Sequence, residues 1–456
     1  MFQKFWSMES SEFTCQIRSE PKAGIRIESR QFSRRRFPVW PRIAVVAVVL
    51  TGAIAPGLAA EPGEPAPMKK VAAIVTIYSH NSHAELIVGR LVETDTLDGR
   101  GRRSPLQLVS LYTDQRPTND LSRRLAATCG VRCSETIAEA LTLGTGHLAV
   151  DGVLLIAEHG DYPKSSTGNT RYPKRRFWEE ILKVFRTERR VVPVFIDKHL
   201  ADNWRDAKFI YDTARELKVP LMAGSSLPTT WRRPAVDVQP GAQLREIVAI
   251  TYHNTDSYGF HALEFVEALA EQRHGGETGI KAVQAWTSDA VWRAFDQKTF
   301  DLELFDAAWR RLAHPQNQAR RLREIVREPR LFRLEYADGL RAHLLELNGA
   351  AGEWSAAWRY AEGDRIESSL FWTQEGRPAM HFTWLLHGIE QMMLTGKPAW
   401  AVERTLLTSG ALDALLISLK ENQRRVKTPY LILRYQPSWR WAEPPPPPPM
   451  RPWAAE

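Results

Sequence analysis

Cysteine is nearly absent. Cys15, Cys129 and Cys133 are the only three in 456 residues, too few for a disulfide framework or a cysteine-built zinc centre. Cys129 and Cys133 flank an expected helix-to-strand turn and are expected as unpaired thiols. The chain also lacks an internal repeat. No basic motif studded with aromatics accompanies its net charge of +8, and part of that charge sits in an Arg-rich N-terminus (Arg30, Arg34, Arg35, Arg36, Arg42). Nucleic acid is therefore not an expected partner. What the chain does have is length enough for two domains, each able to bury a core of its own.

One uncharged apolar run stands out, Ile43 to Ala60, behind the cluster Ser33-Arg34-Arg35-Arg36-Phe37. Together they resemble a twin-arginine export signal. Pro56 and Gly57 argue against a stable membrane span, Ala60 is the candidate cleavage point, and a periplasmic location follows. Met68 is the alternative start of a cytoplasmic form. Residues 1–67 are thus expected to be signal and linker, and 437–456 a proline-rich tail.

From Lys70 onward strands alternate with helices, the pattern of an α/β doubly wound parallel sheet, over 68–235. Strands are expected at Val71–Thr76, Leu106–Tyr112, near Val131, at Val150–Ala157, Val191–Ile196 and around Met222. After Pro240 the runs lengthen and alternate, as in a mostly antiparallel sheet with one solvated face. That second, α+β domain spans 236–436, with helices at Met380–Leu394 and Ala401–Lys420 and a last strand at Tyr430–Tyr435. An Arg- and Trp-rich helical insertion between Trp286 and Pro329 has no evident role in the sequence.

Ligands of open α/β sheets bind beyond the carboxyl ends of the strands. Val191–Ile196 is short, apolar and β-branched, and it is followed at once by Asp197, Lys198 and His199. Lys198 is therefore the first candidate for chemistry. Glu158 and His159 follow the fourth strand in the same way, and Asp114 follows the second.

The order of these parts resembles the Gfo/Idh/MocA family, the glucose-fructose oxidoreductase and inositol dehydrogenase-like enzymes. Asp197-Lys198-His199-Leu200 looks like that family's Glu-Lys-Pro turn, and Gly259-Phe260-His261-Ala262-Leu263-Glu264 like its Gly-x-His-x-x-Asp element. Gly396-Lys397-Pro398 and Thr428-Pro429-Tyr430 resemble its C-terminal closure. The resemblance implies a Rossmann-like first domain and hydride transfer between NAD(P) and a sugar- or polyol-like small molecule. It further implies His261 as general base and Lys198 polarising the oxygen. The acid expected four residues before His261 is replaced by Ser257, with Asp256 beside it. Val75, Ile77 and His80 stand where the glycines of the G-x-G-x-x-G turn belong, so that NAD(P) lacks its usual cradle. Ile77, His80, Asp114, Glu158, His159 and Asp197 are the candidate cofactor-edge residues. A homo-oligomer is allowed.

Two other readings use the same residues. Loss of the glycines and of the acid fits an inactive relative that binds carbohydrate or a partner protein in the cleft. Alternatively His80, His83, Glu158, His159, Asp161, Asp197 and His199 gather at one edge, as a metal-assisted lyase or hydrolase would require.

Overall fold

The computed structural model describes residues 68–313, 321–374 and 376–446. The expected export signal and Cys15 lie outside these residues, as does the end of the proline tail.

Six strands, β1 (Lys69–Val75), β2 (Leu106–Thr113), β3 (Arg132–Ser134), β4 (Gly152–Ile156), β5 (Val194–Asp197) and β6 (Leu221–Gly224), form one sheet in the order β3-β2-β1-β4-β5-β6. Every neighbouring pair is parallel. The connecting helices are α1 (His83–Val92), α2 (Ser122–Cys129), α3 (Ile137–Thr142), α4 (Lys174–Glu188) and α5 (Trp204–Leu217). Alternate side chains of one strand feed opposite cores. Ala72 and Ile74 of β1 pack with Trp178 and Leu182 of α4, while Val71, Ala73 and Val75 pack with Ile87 and Leu91 of α1. Covered on both faces, the strands can be apolar throughout, which is why they appear as unbroken hydrophobic runs. The order reverses between β1 and β4, leaving a crevice at their carboxyl ends. Cys129 and Cys133 form no disulfide.

The second sheet has eight strands in the order β14-β9-β10-β11-β8-β12-β13-β7. They are β7 (Trp231–Arg233), β8 (Leu244–Thr251), β9 (Ile280–Thr287), β10 (Arg330–Tyr336), β11 (Arg341–Glu346), β12 (Trp354–Tyr360), β13 (Ile366–Trp372) and β14 (Val426–Lys427). The pair β8 and β11 is parallel and the rest are antiparallel. One face packs on α6 (Phe260–Ala270) and on α11 (Val402–Lys420). Apolar nearly all round, α11 also sends Val402 and Leu406 into the first sheet's core, so one helix is shared by both sheets. In the same way α10 (His381–Thr395) packs Phe382, Leu385 and Ile389 against the α1 side of the first sheet.

Two expectations fail here. The second sheet's far face is solvated only in part, at Gln284, Arg333, Glu335 and Arg341, because the insertion folds into α7 (Asp289–Asp296), α8 (Leu302–Trp309) and α9 (Leu322–Ile325) and covers the rest. Leu304, Phe305, Ala308 and Trp309 of α8 pack on Val248, Ile250, Ala357 and Leu370 of the sheet. Nor does Tyr430–Tyr435 form a strand. Pro429, which has no N–H to give a ladder, opens a 3-10 turn over Pro429–Leu431, and pairing with β9 is made instead by Val426 and Lys427. Among the described residues no helix is long and apolar enough to cross a membrane.

If the insertion is core rather than decoration, Leu304→Ala should destabilise the protein by about 2–5 kcal/mol, as a cavity in a packed core does. Urea unfolding measures it, and a loss below about 0.5 kcal/mol, the level of a surface change, would contradict this packing.

Candidate active site

The cleft centre is a buried carboxylate. Glu158, just beyond β4, is 3% exposed and receives two ammonium groups, Lys198 Nζ on Oε2 and Lys174 Nζ on Oε1, each at 3.1 Å. Lys198 comes from the end of β5 and Lys174 from the start of α4; they are 3% and 1% exposed. Burial alone would push the Glu158 carboxyl up, but Lys198 and then Lys174 outweigh it and hold it well below the usual carboxylate range. Lys174 is otherwise spent on the backbone, donating to Asp197 O at 2.9 Å and His199 O at 2.7 Å. Lys198 instead gives a hydrogen bond to Ser257 Oγ at 2.7 Å. Its backbone is left-handed, φ 58°, a conformation costing an ordinary residue roughly 1–2 kcal/mol, held by its N–H on Gly224 O at 3.1 Å.

Ser257 lies in a single π-helical turn, Thr255–Gly259, which leads into α6. His261 is the second residue of that helix. Its Nδ1 is hydrogen-bonded to Ser225 Oγ, Ser225 N–H donates to Glu264 Oε2 at 3.3 Å, and Thr408 Oγ1 donates to the other Glu264 oxygen at 2.6 Å. Burial first, then the charge of Lys198, pushes His261 well below its ordinary value, so the imidazole is neutral. His83, the first residue of α1, bonds Asp197 Oδ2 through Nδ1 at 2.7 Å, with its ring 6.1 Å from that of His261.

These groups open onto a cavity of about 380 Å³ whose walls include His83, Lys198, Tyr258, His261, Trp354 and His381. It adjoins a second of about 720 Å³, and His159, Lys198, Ser257 and Tyr258 line both. Two buried polar atoms in the smaller wall have no partner, Trp354 Nε1 and His381 Nδ1. Atoms of this kind need a partner from outside the chain, a water or a polar ligand.

The fold thus brings Lys198, Ser257, His261, Glu158, His159 and Asp197 to one place. Asp256 lines the larger cavity and not the smaller one that His261 faces, and its Oδ2 accepts from Thr170 N and Oγ1, both at 2.9 Å. The carboxylate serving Lys198 is Glu158, contributed by another strand. Ile77 and His80 line neither cavity. Among the described residues no group of three His, Cys, Asp or Glu could hold a metal ion. Lys174, Ser225, Trp354 and His381 join the site without any sequence signal, apart from Ser225 in the LMAGS strand that follows α5.

No protein-family model and no curated protein matches the sequence. Solved structures do match. GenD2 from gentamicin A biosynthesis, crystallised in complex with NAD, superposes with a TM-score of 0.50 at 15% identity, covering 81% of this chain and 99% of its own. Apo scyllo-inositol dehydrogenase from Lactobacillus casei gives a TM-score of 0.50 at 11% identity, covering 79% and 98%. The chain has the fold of the Gfo/Idh/MocA-type dehydrogenases.

In a Gfo/Idh/MocA-type fold a dinucleotide would cross the β1/β4 crevice, its pyrophosphate on the N-terminus of α1 and its adenosine ribose on the acid after β2. Here part of that N-terminus is already used. Ser82 Oγ accepts from Glu85 N at 3.2 Å, and the fully buried Glu85 takes Asn81 N–H at 3.1 Å and Arg377 at 2.8 Å, placing a carboxylate at the start of α1. The Asp114 carboxylate is also engaged, by Tyr112 OH and Tyr162 OH, each at 2.8 Å, and by Arg176. In this state the nucleotide edge does not fit the adenosine and pyrophosphate of NAD(P).

Burial pushes His199 and His381 down to about 3, whereas an unfolded histidine titrates near about 6.5. Both therefore stabilise the fold fully above pH ~6.5 and progressively less as pH falls towards their folded values, by about 1.4 kcal/mol per pH unit each. Urea midpoints compared at pH 7.5 and 5.0 should drop accordingly. Equal midpoints would contradict neutral burial of the pair.

Proposed function

We propose that the protein is an oxidoreductase-like enzyme whose cleft takes a sugar- or polyol-like small molecule, with Lys198 gripping a substrate oxygen and His261 exchanging that oxygen's proton. The observation that carries the reading is the meeting of Lys198 and His261 in one cavity whose wall also holds the unpartnered Trp354 Nε1 and His381 Nδ1. A polyhydroxylated ligand supplies an acceptor for the indole N–H and a partner for the imidazole. Dehydrogenase relatives in fold agree with that substrate class.

The roles follow from valence. An ammonium group has three N–H donors; Lys198 gives one to Glu158 and one to Ser257, and the third is left for a substrate oxygen. Fixed by both partners, that donor needs no reorganisation when charge develops on the oxygen. For His261 to accept a proton at Nε2, its Nδ1–H must donate to Ser225 Oγ. The hydroxyl has the capacity, since it accepts Leu227 N–H at 3.1 Å with one lone pair and has a second. Glu264, holding Ser225 through its backbone, keeps that orientation. These residues supply the oxygen and proton half of a sugar oxidation or reduction. No residue of the chain is assigned the hydride half.

The occupied Asp114 favours a second reading, in which the cleft binds a carbohydrate without turning it over. The proposal includes export, which rests on the Ser33–Phe37 and Ile43–Ala60 segments alone.

Calorimetric titration with scyllo-inositol, myo-inositol and D-glucose tests the site. At least one should bind, and Lys198→Ala should weaken it by about 10- to 100-fold, the worth of one charged hydrogen bond. His261→Ala should abolish turnover of the bound ligand while the fold is kept. Unchanged affinity in the first variant, or unchanged turnover in the second, would contradict the assignment.

A further inference from the structure

Four histidines stand in the wall of the smaller cavity, His83, His159, His261 and His381. Among the described residues, only His83 of these four is paired with a carboxylate. Its Nδ1 lies 2.7 Å from Asp197 Oδ2, and the Asp197 side chain is 1% exposed. A carboxylate oxygen accepts, so Nδ1 carries the proton and Nε2 keeps its lone pair. The ring is braced edge-on by His159 and Phe382, with centroids 5.4 Å and 4.9 Å away. A fixed imidazole with its tautomer set by a carboxylate is built as a general base.

The oxygen roles of Lys198 and His261 leave this pair unused. Asp197 is the last residue of β5 and Lys198 the next, so one strand end orients the base and supplies the ammonium group. His261 lies across from it, the two imidazole centroids 6.1 Å apart. A carbon-bound hydrogen yields to a histidine only beside a carbonyl whose oxygen is stabilised as charge develops on it. The spare donor of Lys198 meets that need.

We propose that His83, oriented by Asp197, is a carbon base, and that the cleft moves the carbonyl of an α-hydroxy ketone, of sugar or cyclitol type, to the neighbouring carbon. His83 Nε2 takes the proton of the carbinol carbon. The C–H electron pair becomes the C=C bond of an enediolate, and the carbonyl π pair moves onto the oxygen held by Lys198. His261 Nε2 then takes the proton of the neighbouring hydroxyl and passes it to that oxygen. The second oxygen re-forms a carbonyl, and the C=C pair recovers the proton from His83 at the other carbon. Neither oxidant nor reductant enters, and atoms and charge balance. The inference rests on the oxygen roles proposed above for Lys198 and His261, and on no dinucleotide.

The test is proton NMR of D-fructose, and of the ketone made by oxidising myo-inositol at one carbon, in deuterium oxide with the full chain and no added cofactor. Calorimetry follows the binding of both ketones. The parent should exchange the hydrogen beside the carbonyl for deuterium. His83→Gln should keep affinity within about threefold and slow exchange at least about 100-fold, the lower end of what a general base contributes. Asp197→Asn, which changes a positioning residue, should slow exchange at least about tenfold at the same affinity, because an amide no longer fixes the tautomer. Both variants are checked by urea unfolding, and Asp197→Asn carries the test if the helix start does not survive His83→Gln. No exchange by a parent that binds the inositols or glucose, or equal exchange by the parent and the folded variants, would overturn the carbon base and leave the oxygen roles standing. No binding of any of these polyols or ketones would overturn both.

Discussion

A carboxylate with two ammonium groups, all three buried, is the constraint on which the rest of the cleft depends. Taking such charges out of water costs several kcal/mol per ion, and only close pairing with further hydrogen bonds offsets it. Glu158 meets that condition through residues that the chain delivers from separate places: the end of β4, the end of β5 and the start of α4. Lys174 is absorbed by the backbone around His199, which sets the shape of the turn after β5. Lys198 is thereby left as the one member with a donor to spare, facing Ser257 and the cavity. The arrangement explains why a lysine tolerates a left-handed backbone at that point. Local strain of about 1 kcal/mol is small beside an uncompensated buried carboxylate.

Much of this was legible in the sequence, for a definite reason. Strands buried on both faces are unbroken apolar runs, so the residue after each run marks the carboxyl edge, and Glu158, Asp197 and Lys198 were found that way. What the sequence could not show was pairing between separate elements. Ser257 stands where an acid was expected, and nothing local indicates that Glu158, far away in the chain, supplies the charge instead. Asp256, one residue away, looked equivalent to Ser257, but the π-helical turn gives Ser257 to Lys198 and Asp256 to Thr170. The sheet face covered by α8 was also misjudged. Alternation along β8 to β13 tells that the two faces differ, and not that a later insertion returns to cover one of them. Pro429 ends the ladder because it has no N–H to donate, although the residues after it are apolar.

Fold and cofactor edge are separable in this chain. The strand order, crevice and two-sheet architecture are those of the dehydrogenase fold. The positions that would cradle a pyrophosphate and a ribose have instead become internal contacts, Glu85 with Arg377 and Asp114 with Tyr162. Such substitutions leave the core untouched because they sit at strand ends, where loops vary freely without disturbing the layers beneath. Lys198 and His261 meanwhile meet in the smaller cavity.

The most direct test of the central claim is a double-mutant cycle on the buried pair, Glu158→Gln, Lys198→Met and the two together, with unfolding free energies from urea titration. If Glu158 is the counter-charge that organises the cleft, the two changes should couple by about 2 kcal/mol or more, the double variant being less damaged than the sum of the singles. Additivity within about 0.5 kcal/mol would show that the two side chains do not depend on each other, and would contradict the account.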